Sequence, residues 1–134
     1  MNGVAAIRQL LIGNVGLTNI VPAANVVAGI LPKGSPVPAL SIMSVSTVDV
    51  NIPSPGAKRR VVERVQVSGV AATYPELKAL MKAVKQAASA QMPTVSGISE
   101  VTVHTDSAGP DFTDEAAALC FGSQDFKVAY NELT

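Results

Sequence analysis

Residues 59–91 read RRVVERVQVSGVAATYPELKALMKAVKQAASAQ, a long strand followed by an amphipathic helix. Along the strand, apolar or small residues alternate with polar ones: the first set is Val61, Val65, Val67 and Gly69, and the second is Arg64, Gln66 and Ser68. A period of two is typical of a strand with one face on the core and the other in water. Glu63 is the exception, because it occupies an apolar position.

The second part of this segment carries the signals of a helix. Thr73 can cap the helix, Glu76 follows three residues later, and Pro75 fits the first turn, where a backbone N–H has no intrahelical partner. Apolar residues recur at helical spacing, at positions 77, 80, 81, 84, 87 and 88, and lysines occupy the other side. We predict that this apolar stripe, with Leu80 and Val84 at its centre, packs on the apolar face of the strand.

The rest of the chain adds shorter patterns of the same two kinds. They predict a helix at 4–11, a helical turn within 14–21, and strands at 26–31, 39–50, 98–105 and about 126–130. A loop with two prolines and a glycine, 51–58, joins two strands in the order of a long antiparallel β-hairpin. The prediction is an α+β fold, a mainly antiparallel β-sheet packed on one face by two helices, in a single domain of residues 1–134.

The strand at 39–50 is almost free of charge. Strict alternation places Leu40, Ile42, Val48 and Val50 on one side and Met43 and Val45 on the other. Apolar residues on both sides are typical of a strand that is buried on both faces. We therefore expect this strand to be covered on both sides.

Charge is scarce and unevenly distributed. Charged residues make up 15% of the chain, against about 25% in ordinary soluble domains. Residues 58–85 hold seven basic and two acidic groups, whereas residues 86–134 hold seven acidic groups and one basic group. The two segments can neutralise each other within one subunit, or they can form complementary surfaces of an assembly. No run approaches 18 apolar residues, and no signal-peptide pattern begins the chain, so we expect neither membrane spanning nor secretion.

Few residues offer catalytic or metal-binding chemistry. His104 is the single histidine, and we interpret it as a solvated strand residue because no nucleophile or orienting acid is recognisable beside it. Cys120, the single cysteine, lies between Leu119 and Phe121, which favours a buried apolar role. One cysteine and one histidine cannot form a zinc site alone. We predict no enzyme activity, no metal and no cofactor.

Three loops carry weaker signals. Residues 29–35 differ from a phosphate-binding loop because the lysine precedes the second glycine and no helix follows. The acidic residues of 106–115 lack the spacing of a calcium loop, so a solvated loop is favoured. Lys58, Arg59 and Arg60 beside the hairpin tip form the densest positive charge of the chain. They are candidate assembly or DNA-channel contacts, and the alternative is a solvated tip.

The order of several motifs resembles one known family. EVTVHTD at 100–106, GPD at 109–111 and SQDFKVAY at 123–130 resemble the C-terminal half of the tail-terminator (tail-completion) proteins of tailed bacteriophages. The central strand RVQVSGVA at 64–71 and the helix after it are similar too, as is the start of the chain up to about residue 22. Each motif is a strand or helix pattern, and their order spans most of the chain.

This resemblance implies a structural virion protein. Members of the family form a ring, usually of six subunits, at the head-proximal end of the tail tube. The resemblance implies that the ring stops tube polymerisation, contacts the tail tube protein on one face and docks to the head connector on the other. The resemblance further implies that DNA passes through the bore without sequence-specific binding. It also implies location in the virion tail or neck, and in the host cytoplasm during assembly.

The sequence is also compatible with other functions. A different phage ring protein, such as a connector-completion protein or a tube protein, shares the sheet-forming composition. A tube protein polymerises into long tubes, whereas a terminator stops at a ring. A small ligand-binding domain is a third reading, and it requires a pocket with convergent polar groups.

Overall fold

A computed structural model describes residues 2–31, 36–50, 58–116 and 118–133. The helices are α1 (Asn2–Ile12), α2 (Val15–Thr18) and α3 (Tyr74–Ala88), with a 3₁₀ turn at Ala23–Asn25. The strands are β1 (Val26–Ala28), β2 (Ala39–Val50), β3 (Lys58–Ala71), β4 (Ser99–Ala108), β5 (Phe112–Asp114) and β6 (Leu119–Leu133). The predicted α+β class is confirmed, and α2 is the helical turn predicted within 14–21. No helix of the described residues is long and apolar enough to cross a membrane.

All the strands form one open, mixed sheet in the order β1-β2-β3-β6-β4. Only β1 and β2 run parallel, and every other pair is antiparallel. β5 also pairs with β6. It lies on the same side of β6 as β4 does, but at the beginning of β6, at residues 119–121. The predicted hairpin is β2–β3, paired from Ala39 with Val70 to Val50 with Arg60. Its tip, 51–57, lies outside the described residues.

The central strand and helix follow the sequence prediction closely. Thr73 caps α3, because its hydroxyl accepts a hydrogen bond from the Glu76 backbone N–H at 3.4 Å. Leu80 and Val84 are fully buried in one core cluster with Val65 and Val67. Side chains of α1 join the same cluster, so α1 and α3 cover the same face of the sheet. The opposite face, called the open face below, carries no described helix.

Glu63 lies in an environment that the alternating pattern of β3 did not predict. It is 1% exposed and lies under the first turn of α1. Its Oε1 accepts hydrogen bonds from the Gly3 backbone N–H at 3.1 Å and from the Tyr130 hydroxyl at 2.9 Å. A Cβ at residue 3 would lie 2.6 Å from Cδ of Glu63, so a side chain there would displace the Glu63 carboxylate from this position. Burial and the Glu63 carboxylate raise the pKa of Tyr130, which keeps its hydroxyl proton available for donation.

The prediction that β2 is covered on both faces is wrong. A register shift between Ser44 and Ser46 leaves Val45 without an opposing residue. An extra residue in one strand moves every later side chain to the other face. Val48 and Val50 therefore lie opposite Val62 and Arg60 on the open face, instead of sharing the core face with Leu40 and Ile42. β2 is buried only from Ala39 to Ile42 and exposed from Met43 to Val50.

The C-terminal third contains more strand than the sequence predicted. β6 has fifteen residues, and it is long because all but the first of them pair with β3. The predicted polar loop at 106–114 includes β5, which adds to the edge of β6 beside β4. Phe126, Val128 and Tyr130 are buried on the core face of the strand predicted at about 126–130.

Candidate assembly surface

One edge of the sheet is unpaired for most of its length. β1 pairs only with residues 40–42 of β2, and the last bond on that edge joins the Gly29 N–H to the Ile42 carbonyl at 2.8 Å. From Met43 to Val50, the described part of the chain places no strand against the outer side of β2. We call this eight-residue segment the β2 edge.

Apolar side chains are exposed along the β2 edge. Met43 is 45% exposed, Val45 50%, Val48 60% and Val50 45%, and the only charged residue in the segment is Asp49. A long, exposed and apolar edge strand is a template for pairing with another chain, and proteins usually block such edges with lysine, proline or a cover. Here the only such devices within the segment are the bulge at Val45 and the charge of Asp49. The β2 edge is therefore the strongest candidate for a protein contact.

A shallow hollow lies where β1 ends and the β2 edge begins. Its volume is about 290 Å³, and its lining is almost entirely apolar: Val4, Ala28, Gly29, Ile42, Met43 and Ser44. Polar groups do not converge in it, which makes it unsuitable for orienting a small polar ligand. An apolar side chain from another strand fits the lining better. The hollow thus extends the surface of the β2 edge towards α1.

The three basic residues next to the hairpin tip lie in different environments. Arg59 donates through Nε to Glu132 Oε1 at 2.9 Å, and this carboxylate raises the pKa of the guanidinium. Arg60 donates through Nη1 to the Glu100 carbonyl at 2.9 Å and to Asn131 at 3.3 Å. Lys58 is exposed, and within the described residues no acidic group lies within salt-bridge distance of it. Lys58 is therefore the member of the trio best placed to meet an outside partner.

The opposite edge of the sheet is acidic. It consists of β4 and β5, and all residues of 104–108 and 112–114 are exposed. The first half of β4 is partly covered, because the Val103 N–H donates to the Gln91 carbonyl at 2.9 Å. Phe112 is exposed and stacks on Phe121 with ring centroids 4.9 Å apart. We call residues 104–108 and 112–114 the β4–β5 edge.

Ion pairs hold Asp111, in the loop that joins β4 to β5, and Asp106, in β4 itself. Asp111 accepts from Lys78 Nζ at 2.6 Å and from the Tyr74 hydroxyl at 2.9 Å, and these donors lower the pKa of its carboxyl group. On the open face, Arg64 bonds to Asp125 and lies 3.4 Å from Asp106. The chain's own cations thus bind two residues of the predicted acidic loop: Lys78 of α3 binds Asp111, and Arg64 of β3 lies beside Asp106. Among the described residues, no three acidic, histidine or cysteine side chains are grouped as a metal site.

The structure separates the two residues considered for catalysis. His104 is exposed on β4 opposite Lys127, on the open face. Cys120 is buried beside Ala71 and Leu77, as predicted. They lie on different strands, and His104 has no described nucleophile next to it. Most of the segment compared with a phosphate-binding loop, 32–35, lies outside the described residues.

Comparison with known proteins gives a family and a fold. The family described as "Tail completion protein gp17" matches residues 5–131. A chain of the structure titled "Virion of native gene transfer agent (GTA) particle" has the same fold, with a TM-score of 0.72 at 19% sequence identity over 95% of this chain and 92% of that chain. No curated protein matches the sequence significantly. Because the family match covers nearly the whole chain, this protein belongs to the tail completion protein gp17 family.

Proposed function

We propose that this structural tail protein forms a closed ring, of six copies, at the head-proximal end of a phage tail tube. The ring stops tube polymerisation and presents a docking surface for the head connector, and DNA passes through its bore without sequence-specific binding. It acts by geometry and without catalysis or a cofactor. During assembly it is in the host cytoplasm, and afterwards in the virion.

The observation that carries this proposal is the β2 edge. Its exposed valines and methionine lie on a chain with little charge elsewhere. A ring requires two different surfaces on each subunit that meet by rotation. The β2 edge and the β4–β5 edge, on opposite sides of the sheet, are such a pair, and family membership supplies the setting in the tail.

The ring is tested on assembled tails. Imaging of tails that contain the chain, together with mass measurement of the terminal assembly, is expected to show one discrete ring of six copies. The free chain can be monomeric before it meets the tube, so the assembled particle is the decisive sample. A single copy per tail contradicts the proposal, and long tubes formed by the isolated chain indicate a tube protein instead.

We propose that Lys58, Arg59 and Arg60 contact a neighbouring subunit or ring, or DNA in the bore. Replacing all three by alanine is expected to leave the melting temperature nearly unchanged, because their intrachain contacts are exposed and exposed ion pairs contribute little. If they are assembly contacts, tails lengthen abnormally or fail to join heads. If they contact DNA only, tails join heads normally, and retention or ejection of DNA is impaired.

A matched control uses the other lysines of the basic segment. Lys82 and Lys85 are exposed on α3, away from the hairpin. Their replacement by alanine removes positive charge of the same kind without touching the candidate contacts. Normal tail length, head joining and DNA retention in the triple variant contradict a role for the three residues.

A further inference from the structure

We infer that the β2 edge of one copy pairs antiparallel with the β4–β5 edge of the next copy, so that one sheet continues from subunit to subunit. This inference rests on the proposed ring and names the two surfaces that build it. The partner is therefore a second copy of this chain, bound by main-chain hydrogen bonds along an edge strand.

Strand direction supports this pairing. β2, β3, β6 and β4 alternate in direction, because each neighbouring pair is antiparallel. β2 and β4 therefore point in opposite directions, β4 at one end of the order and β2 at the other end wherever β1 does not cover it. A rotation about an axis along the strands preserves their directions, so β4 of one copy meets β2 of the next as an antiparallel pair. The contact uses two different edges and is heterologous, as a closed ring requires.

Charge and apolar surface support the same partner. Lys58 lies at the hairpin-tip end of the sheet, two residues before Arg60, and the exposed Glu100 lies at the same end of β4, because its neighbour Ser99 pairs with Asn131, the partner of Arg60. Opposite charges on facing surfaces fix register and favour the correct partner. The same pairing covers the exposed apolar residues of the β2 edge, Met43, Val45, Val48 and Val50.

Two edges of the same kind would give a different assembly. If two β2 edges paired with each other, the contact would be isologous and would stop at a dimer. The heterologous pairing instead leaves a free edge at each step until the ring closes.

Cysteine cross-linking in assembled tails tests the pairing. Val48 and His104 both lie on the open face, because they share it with Val62 and Lys127, their partners in the sheet. The double variant Val48→Cys/His104→Cys is treated with a bis-maleimide that spans two residues along a strand, roughly 7 Å. We expect a ladder of covalent multimers up to the full ring, whereas each single variant stays uncross-linked.

Two controls define the background. The unmodified chain contains only the buried Cys120 and is expected not to cross-link. The pair Val48→Cys/Lys85→Cys has one site on the open face and one on exposed α3, and it is expected to give no ladder. If the single variant Val48→Cys gives dimers, the contact is isologous and the inference is wrong. If Val48→Cys links to a chain of different mass, the partner of the β2 edge is another protein.

If a ring is visible but Val48→Cys/His104→Cys cross-links no more than the controls do, the edge pairing is overturned and the proposed function stays intact. Tails without a ring overturn the proposed function itself. As a second measurement, Val48→Lys places a charge on the β2 edge, and lysine on an edge strand opposes pairing. We expect a folded chain that fails to form rings, whereas Ala79→Lys on exposed α3 assembles normally.

Discussion

Leu80→Ala is expected to lower the free energy of unfolding by about 2–5 kcal/mol. Leu80 is fully buried between α3 and the core face of the sheet, in one cluster with Val65 and Val67. Truncation loses apolar contacts and leaves a cavity that the packed surroundings only partly fill. Chemical denaturation followed by circular dichroism measures the change, which appears as a lower midpoint with an unchanged slope.

Lys82→Ala is the matched control for this substitution. Lys82 lies on the same helix, is exposed, and is changed to the same residue. Surface substitutions of this kind usually change stability by less than about 0.5 kcal/mol. An effect of that small size for Leu80→Ala would show that α3 is rotated relative to the arrangement described above.

Tyr130→Phe is expected to cost about 1.5–3 kcal/mol, the contribution of a hydrogen bond to a charged group. The substitution removes the hydroxyl that donates to Glu63 Oε1 at 2.9 Å and keeps the ring. The carboxylate is then left with the Gly3 N–H as its described donor, and its Oε2 is already buried without a partner. A buried charge that loses a donor retains the full cost of its desolvation.

Tyr74→Phe is the control with the same chemical change at an exposed site. Its hydroxyl donates to Asp111 at 2.9 Å, but water can replace that bond. A double-mutant cycle with Glu63→Leu isolates the interaction between Tyr130 and Glu63, because the stability effects of substitutions within one hydrogen-bond network are not additive. We expect Tyr130→Phe to cost much less when Glu63 is already leucine. Equal costs in both backgrounds would show that the hydroxyl stabilises the fold without acting through Glu63.

Local sequence patterns predicted the central elements well. The alternation in β3 and the apolar stripe of α3 depend on the geometry of a single strand or helix. The cap at Thr73 likewise depends on residues three apart. Such features are encoded within one segment, and the structure confirms them. The family resemblance, read from the order of strand and helix motifs, is confirmed as well.

The sequence by itself determined the α+β class, the position of β3 and α3, the face of α3 that is buried, and the low content of charged residues. Tertiary structure decided what depends on partners distant in the chain. The bulge at Val45 arises from pairing with β3, so strict alternation placed Val48 and Val50 on the wrong face. Glu63 is buried because the N–H of Gly3 and the hydroxyl of Tyr130, 60 and 67 residues away, satisfy its carboxylate. The strand order likewise put β2 and β4 at opposite edges, which no local pattern specifies because edges are defined by which strands remain unpaired.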